Sequence, residues 1–175
     1  MKNRETVDYN KGKINRIAFV FSCPGQEELK SGKLVYGKTG YNLELLLQEL
    51  KKRDFITEKF ENRYDFTITN SHNEVHYKAL NNRTEPLNSK IKEISNLKRL
   101  LEELKEVEVI ICFGEKSKYA LHQIKYKLNE KSKILYSRHL GLMSLNQIKL
   151  EKEITNRTEE RIKIIAKDLI KQFQS

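Results

Sequence analysis

Cysteine is scarce in this chain: Cys23 and Cys112 are the only two. Two thiols so far apart make neither a disulfide framework nor a spaced ligand set for zinc. They also fall short of the four thiolates that hold an iron–sulfur cluster. No apolar run approaches the roughly 20 residues that span a bilayer, and the first fifteen residues are polar and charged, unlike a signal peptide. Neither an internal repeat nor a low-complexity segment occurs. These absences lead us to expect a reduced, cytoplasmic protein that needs no metal and no cofactor. What is abundant is positive charge: 34 Lys and Arg against 24 Asp and Glu give a net charge of +10. Such a surface favours a polyanionic partner, because each neutralised phosphate releases counterions.

At 175 residues the chain suits a single domain. Residues 1–15 read as a polar lead-in with Val7 and Tyr9 as its anchors, and 16–175 as the domain. Ile17 to Phe21 is an unbroken apolar run, a buried strand within Arg16–Phe21. Leu43, Leu46, Leu47 and Leu50 recur at helical spacing and predict a helix over 41–52. A charged connection, 53–64, leads to a strand from Asp65 that ends at Asn70. The polar segment 71–90 has no clear periodicity, and a connection of that length in a compact domain is usually functional. Ile91, Ile94, Leu97, Leu101 and Leu104 share a helical face. A strand over 107–113 follows, then a helix with Ala120, Leu121, Ile124 and Leu128 on one side. A fourth strand, 133–136, and a closing helix over 158–173, with Ile162, Ile165, Leu169 and Phe173 inward, complete the pattern. This alternation predicts an α/β fold, a three-layer α/β/α sandwich around a central, mainly parallel four-stranded sheet.

The stretch from Phe19 to Leu50 carries the function. Its strand turns at Cys23-Pro24-Gly25, and a glycine-bearing loop then feeds the leucine-rich helix. In α/β proteins ligands bind at the carboxyl end of such a strand. Residues Gly32 to Thr39 satisfy the phosphate-loop pattern G-x-x-x-x-G-K-[ST]. The strand, however, ends about ten residues too early, and Leu34-Val35-Tyr36 is bulky where backbone amides would wrap a phosphate.

A second pattern covers more of the chain. The line PGQEELKSGKLVYGKTG resembles the first motif of the uracil-DNA glycosylase superfamily, closest in layout to its iron–sulfur branch. There the motif reads G-E-A-P-G, an acidic loop, then G-x-P-F-V-G-x-A-G. Pro24, Gly25, Glu28, Gly32, Gly37 and Gly40 fall into register without a gap. Phe66 to Asn70 looks like the strand whose final asparagine reads the base, and Asn82-Arg83 with Pro86 echoes the following N-R-x-P. Ser137 to Ser144, SRHLGLMS, looks like a variant of the H-P-S-P-L-S loop.

The resemblance implies a monofunctional DNA glycosylase that flips a pyrimidine out of the stack and hydrolyses its N-glycosidic bond. It assigns His139 to donate a hydrogen bond to the pyrimidine O2, and Asn70 to read the base edge with its amide donor and acceptor. Ser22, Cys23, Pro24, Gly25, Val35 and Tyr36 would line the base site. Leu142 and Met143 would wedge into the gap left by the flipped nucleotide. Lys38, Arg138, Gly141, Ser144 and Asn146 would contact the DNA backbone. His72, His76 and His122 have no motif support and are expected to be structural or solvated, with no zinc site among them.

The departures matter as much. Ser22 and Cys23 stand where many members hold the attacking water with a carboxylate or asparagine, and Glu27 and Glu28 read by default as surface residues. Val35, with Tyr36 beside it, stands at the stacking phenylalanine. Gly25 stands where some members use a tyrosine to exclude a C5 methyl. Both losses widen the pocket and suggest a bulkier, C5-modified pyrimidine of the kind phages install, in repair or in defence against foreign DNA. A non-catalytic DNA-binding module of the same fold and a phosphate-loop nucleotide-binding protein stay open as alternatives. DNA is the expected partner and a monomer the expected state.

Overall fold

A computed structural model describes residues 6–151 and 153–175. The apolar runs pair into one sheet of four strands: β1 (Ile14–Phe21), β2 (Phe66–Asn70), β3 (Val109–Phe113) and β4 (Lys133–Ser137). Their order is β2-β1-β3-β4 and every pairing is parallel. Strands β2 and β3 are buried at every residue, as strands covered on both faces must be. Eight helices accompany them among the described residues: α1 (Gln26–Ser31), α2 (Gly37–Lys52), α3 (Lys78–Asn81), α4 (Asn88–Ile91), α5 (Ile94–Leu104), α6 (Glu115–Ile124), α7 (Leu142–Leu145) and α8 (Arg157–Gln174). None of them is long and apolar enough to cross a membrane.

Side chains alternate across the strands and so divide the core in two. Ile17, Phe19 and Phe21 join Ile111 and Phe113 beneath the leucines of α2 and Ile162, Ile165 and Leu169 of α8. Ala18, Val20, Ile110 and Cys112 face Leu100 and Leu104 of α5 and Ala120, Leu121 and Ile124 of α6. The expected three-layer α/β/α sandwich is therefore present, with a sheet that is parallel throughout. A file of aromatic rings runs through the first layer. Phe19 meets Phe66 edge-on at 5.6 Å and Phe113 at 6.3 Å, and Phe113 stacks on Phe21 at 4.8 Å.

Local readings change in four places. Of the lead-in, residues 1–5 lie outside the described residues, but from Thr6 the chain is tied down. Thr6 bridges Glu74, Asn10 bridges Ile68, and Asn10 Nδ2 donates to the carbonyls of Tyr64 and Phe66 at 2.9 and 2.7 Å. Val7 is buried as expected, whereas Tyr9 faces solvent; Asn10 is the second anchor. The helix expected over 91–104 breaks at Lys92–Glu93, because Asn96 Nδ2 takes the Ile91 carbonyl at 2.8 Å that the next helical amide would need. Ile94 consequently opens α5 at 73 % exposure rather than facing the core. Segment 71–90 carries two single-turn helices, and the loop after Gly25 contains α1.

Candidate active site

The chain runs from β1 out to β2 and then crosses to β3 on the other side, so β1 and β3 flank the point where the winding reverses. In open α/β sheets that point, at the carboxyl ends of the strands, is where ligands sit. Three connections converge there. Phe21 ends β1 and Cys23, Pro24, Gly25, Glu28, Val35 and Thr39 follow it; Asn70 ends β2, with His76 and Thr84 in the segment beyond it; and His139 follows β4. Together they enclose a cavity of about 200 Å³.

His139 is held in one state by its own loop. Its Nδ1 accepts a hydrogen bond from the Gly141 amide at 2.9 Å, which leaves the ring proton on Nε2. A Cβ on Gly141 would itself stand 2.9 Å from that Nδ1, so glycine is what permits the approach. Desolvation by the surrounding protein lowers the His139 pKa below its usual 6.5 and favours the neutral ring. Phe21 packs edge-on against the imidazole at 6.1 Å, ending the aromatic file at the site. The next carbonyl, Leu140, accepts from the buried Nδ2 of Asn42 on α2 at 2.7 Å. The result is a neutral Nε2–H donor on a fixed backbone.

Asn70 is held by its backbone, which leaves its amide group for a ligand. Its carbonyl accepts from Arg99 Nη2 at 2.9 Å, and Arg99 Nη1 is paired with Glu103 at 2.6 Å. The next residue is pinned as well: the Ser71 amide donates to Phe21 O at 2.7 Å, and Ser71 O accepts from Asn96 Nδ2 at 2.8 Å. The Asn70 side chain is buried at the cavity wall and makes no hydrogen bond to the described residues. Both its donor and its acceptor are thus open to the cavity.

A carboxylate reaches the cavity from α1. Glu28 is not a surface residue: its Oε2 accepts from the Gly25 amide at 3.1 Å and its side chain lines the cavity. Burial raises its pKa above the ordinary 4.5, while Glu27, one residue earlier, stays exposed. Of the residues expected at the base site, Cys23, Pro24, Gly25 and Val35 line the cavity and Ser22 and Tyr36 do not. Ser22 is buried behind the wall, where its carbonyl accepts from Ser71 Oγ at 2.5 Å. Tyr36 points outward, 45 % exposed. Burial pushes the Cys23 thiol up to about 12, so at neutral pH it is neither base nor nucleophile. Val35 holds a left-handed backbone at φ 51, a conformation that a β-branched residue reaches at a cost of about 1–3 kcal/mol.

The rim divides the residues expected to touch DNA. Leu142 and Met143 open α7, and Met143 is 87 % exposed. Arg138 Nη1 donates to Ser144 O at 2.8 Å and brackets that turn. Lys38 lies exposed, its ammonium 4.8 Å from the ring centre of Tyr41. Asn146 is exposed at the rim, and its Oδ1 accepts from Arg161 Nη1 of α8 at 2.5 Å. Leu34 and Val35 are buried in the core, which prevents Gly32 to Thr39 from wrapping an anion. Beside the cavity, and sharing His139 with it, lies an open groove of about 940 Å³ whose lining mixes Lys118, Arg138 and Lys149 with Glu85, Glu115 and Asp168.

Sequence reasoning missed Phe21, Glu28, Thr39, His76 and Thr84 as cavity residues. Glu28 alone carried a signal, its place in register with the first motif. His122 lies where expected, away from the site, edge-on to Tyr136 at 5.7 Å.

A pH dependence of stability follows from the histidines. His72, His76 and His139 all have pKa values lowered from 6.5, chiefly by desolvation. A histidine whose folded pKa is depressed contributes stability present above its unfolded pKa and lost as pH falls through the folded one. The urea midpoint is therefore expected to hold above about pH 7 and decline steadily below about pH 6.5. A midpoint that is flat or rises from pH 7 to 5 would contradict the burial of these three rings.

Fold and site thus define an α/β protein whose sheet edge carries a histidine–asparagine–glutamate pocket sized for one small ring. No family model matches the chain, and no curated protein matches it either.

Proposed function

We propose that the chain is a monofunctional DNA glycosylase acting on an aberrant or modified pyrimidine. One observation carries this reading: a neutral Nε2–H donor on His139 and an unpartnered Asn70 amide border the same small cavity. About 200 Å³ is below the roughly 300–1,000 Å³ typical of pockets for larger ligands, which suits a flipped base better than a whole nucleotide. The motif resemblance and the net charge of +10 support DNA as the partner.

In this mechanism the base enters the cavity and Asn70 pairs with its Watson–Crick edge. As the bond between C1′ and the base nitrogen breaks, its electrons move onto the base, and the His139 Nε2–H stabilises the charge growing on the carbonyl oxygen. Water adds to C1′ and yields its proton to Glu28, the group that takes over from the missing carboxylate. Lys38, Arg138 and Ser144 contact the backbone while Leu142 and Met143 occupy the vacated stack. Gly25 leaves its part of the wall without a side chain and Tyr36 is turned away, which favours a base carrying a C5 substituent. Removal of such bases from foreign DNA, or repair, would be the cellular role.

The test is a base-release assay on DNAs containing uracil, thymine mismatches, hydroxymethylcytosine or glucosylated phage bases, each followed by cleavage at abasic sites. One member of the panel should be cleaved, with C5-modified DNA preferred over uracil. DNA binding with no release from any substrate would overturn the enzymatic reading. Asn70→Asp should lower kcat/KM on the cleaved member by about 10- to 100-fold, since an ionised carboxylate cannot donate to the base edge. An unchanged rate would remove Asn70 from the site.

A further inference from the structure

We propose that His72, Glu74 and His76 form a binding site for a divalent transition metal of the zinc class. This stands apart from the glycosylase reading. The three residues stand at every second position just beyond β2, and the His72 and His76 rings lie 6.4 Å apart. One ligating atom from each lies within 4.8 Å of the others. Both imidazoles are buried, and His76 Nε2 has no hydrogen-bond partner among the described residues. An orphaned ring nitrogen in a residue only 9 % exposed is what native proteins avoid unless something else fills the place.

The surroundings fit a cation held by nitrogen and oxygen. His76 Nδ1 contacts the Asn81 amide at 2.9 Å, the kind of outer contact that orients a metal-bound imidazole. With that amide turned to present its oxygen, the ring proton sits on Nδ1 and Nε2 offers its lone pair; the turn gives up only the 3.2 Å bond from Asn81 Nδ2 to Val75 O. His72 Nδ1 is engaged by nothing stronger than a 3.3 Å contact from the Glu74 amide. Two guanidiniums lie near the rings: Arg99, on the His72 side, is committed to Glu103, Asn96 and the Asn70 carbonyl, and Arg83 stands on the His76 side.

Two nitrogens and a carboxylate suit zinc rather than calcium or magnesium, which prefer oxygen alone. Metal–ligand bonds of about 2.0–2.1 Å bring tetrahedral ligands to roughly 3.3 Å apart, so the half-exposed Glu74 side chain closes onto the ion and water completes the set. The backbone is already fixed, with the His72 and His76 amides donating to Ser22 O and Pro24 O at 3.2 and 2.9 Å. The ion would fasten the strip that supplies His76 to the cavity wall.

The experiment uses the full chain, stripped with a chelator and titrated with Zn²⁺ and with Co²⁺. We expect one ion per chain, cobalt absorption bands of a nitrogen–oxygen site, and a Tm that rises with metal. His76→Gln and Glu74→Gln should each weaken binding at least 10-fold, Asn81→Ala by about 10- to 100-fold, and His122→Gln should leave it unchanged. Circular dichroism of Glu74→Gln, a change at a partly exposed residue, checks that the chain stays folded. Failure of the folded chain to bind stoichiometrically, or equal binding by the Glu74 and His76 variants, overturns the site.

Discussion

Replacing His139 by alanine is expected to cut single-turnover base release by about 10²–10³-fold, the usual loss when one preorganised donor to a developing anion is removed. DNA affinity should change little, because the side chain sits in the cavity rather than on the rim. The size of the effect depends on the donor being fixed before the base arrives. Gly141 N–H occupies Nδ1 at 2.9 Å and Asn42 holds the adjoining carbonyl, so no reorganisation is required during the reaction. The accompanying pH profile has a definite sign. Protonation would place a second N–H against the Gly141 amide, and burial already disfavours it. Activity should therefore pass undiminished through the ordinary imidazole range near 6.5 and fall only at lower pH. An alanine variant that keeps its rate, or a wild-type profile with its acid limb at 6.5 or above, would exclude a neutral donor.

The largest effect on stability is expected from Phe19→Ala, about 3–5 kcal/mol. Phe19 is fully buried at the centre of β1, edge-on to Phe66 at 5.6 Å and beside Phe113 at 6.3 Å. With neighbours on both flanking strands, the site cannot collapse around the missing ring. A loss of that size consumes a large part of the roughly 5–15 kcal/mol that holds an ordinary domain together. Urea denaturation should show a much lower midpoint at unchanged slope. Tyr126→Ala, at a residue 87 % exposed, should stay within about 0.5 kcal/mol of the parent. If Phe19→Ala cost no more than that control, the aromatic file would not be the keystone of its layer.

What could be read from the sequence was what neighbouring residues decide among themselves. Ile17 to Phe21 and Val109 to Phe113 announce strands because nothing polar interrupts them, and the leucines of α2 announce a helix through their period. Asn70 and His139 were picked out by the motif resemblance, and Asn70 ends β2 while His139 follows β4, at the end of the sheet where such folds carry their sites. The failures are all tertiary. Periodicity put Ile94 on the inner face because it has no knowledge that Asn96 diverts the Ile91 carbonyl. Glu27 and Glu28 look alike in sequence, and only the turn of α1 sends one to solvent and the other into the cavity. His76 had no motif because its surroundings, Pro24, Asn81 and His72, are assembled by the fold.

Helix α2 grips the cavity from two sides within a single turn. Gly40 lies so close to the Val35 carbonyl that a Cβ there would stand 2.1 Å from the oxygen, while Asn42 clasps the Leu140 carbonyl at 2.7 Å. The wall bearing Val35 and the wall bearing His139 thus share one rigid mount and cannot part independently. Across from them, α3 contributes no buried residue and its neighbours through Glu85 are exposed. The pocket is therefore bounded on two walls by a single helix, which fixes the distance between them, and on its Lys78–Glu85 flank by exposed chain.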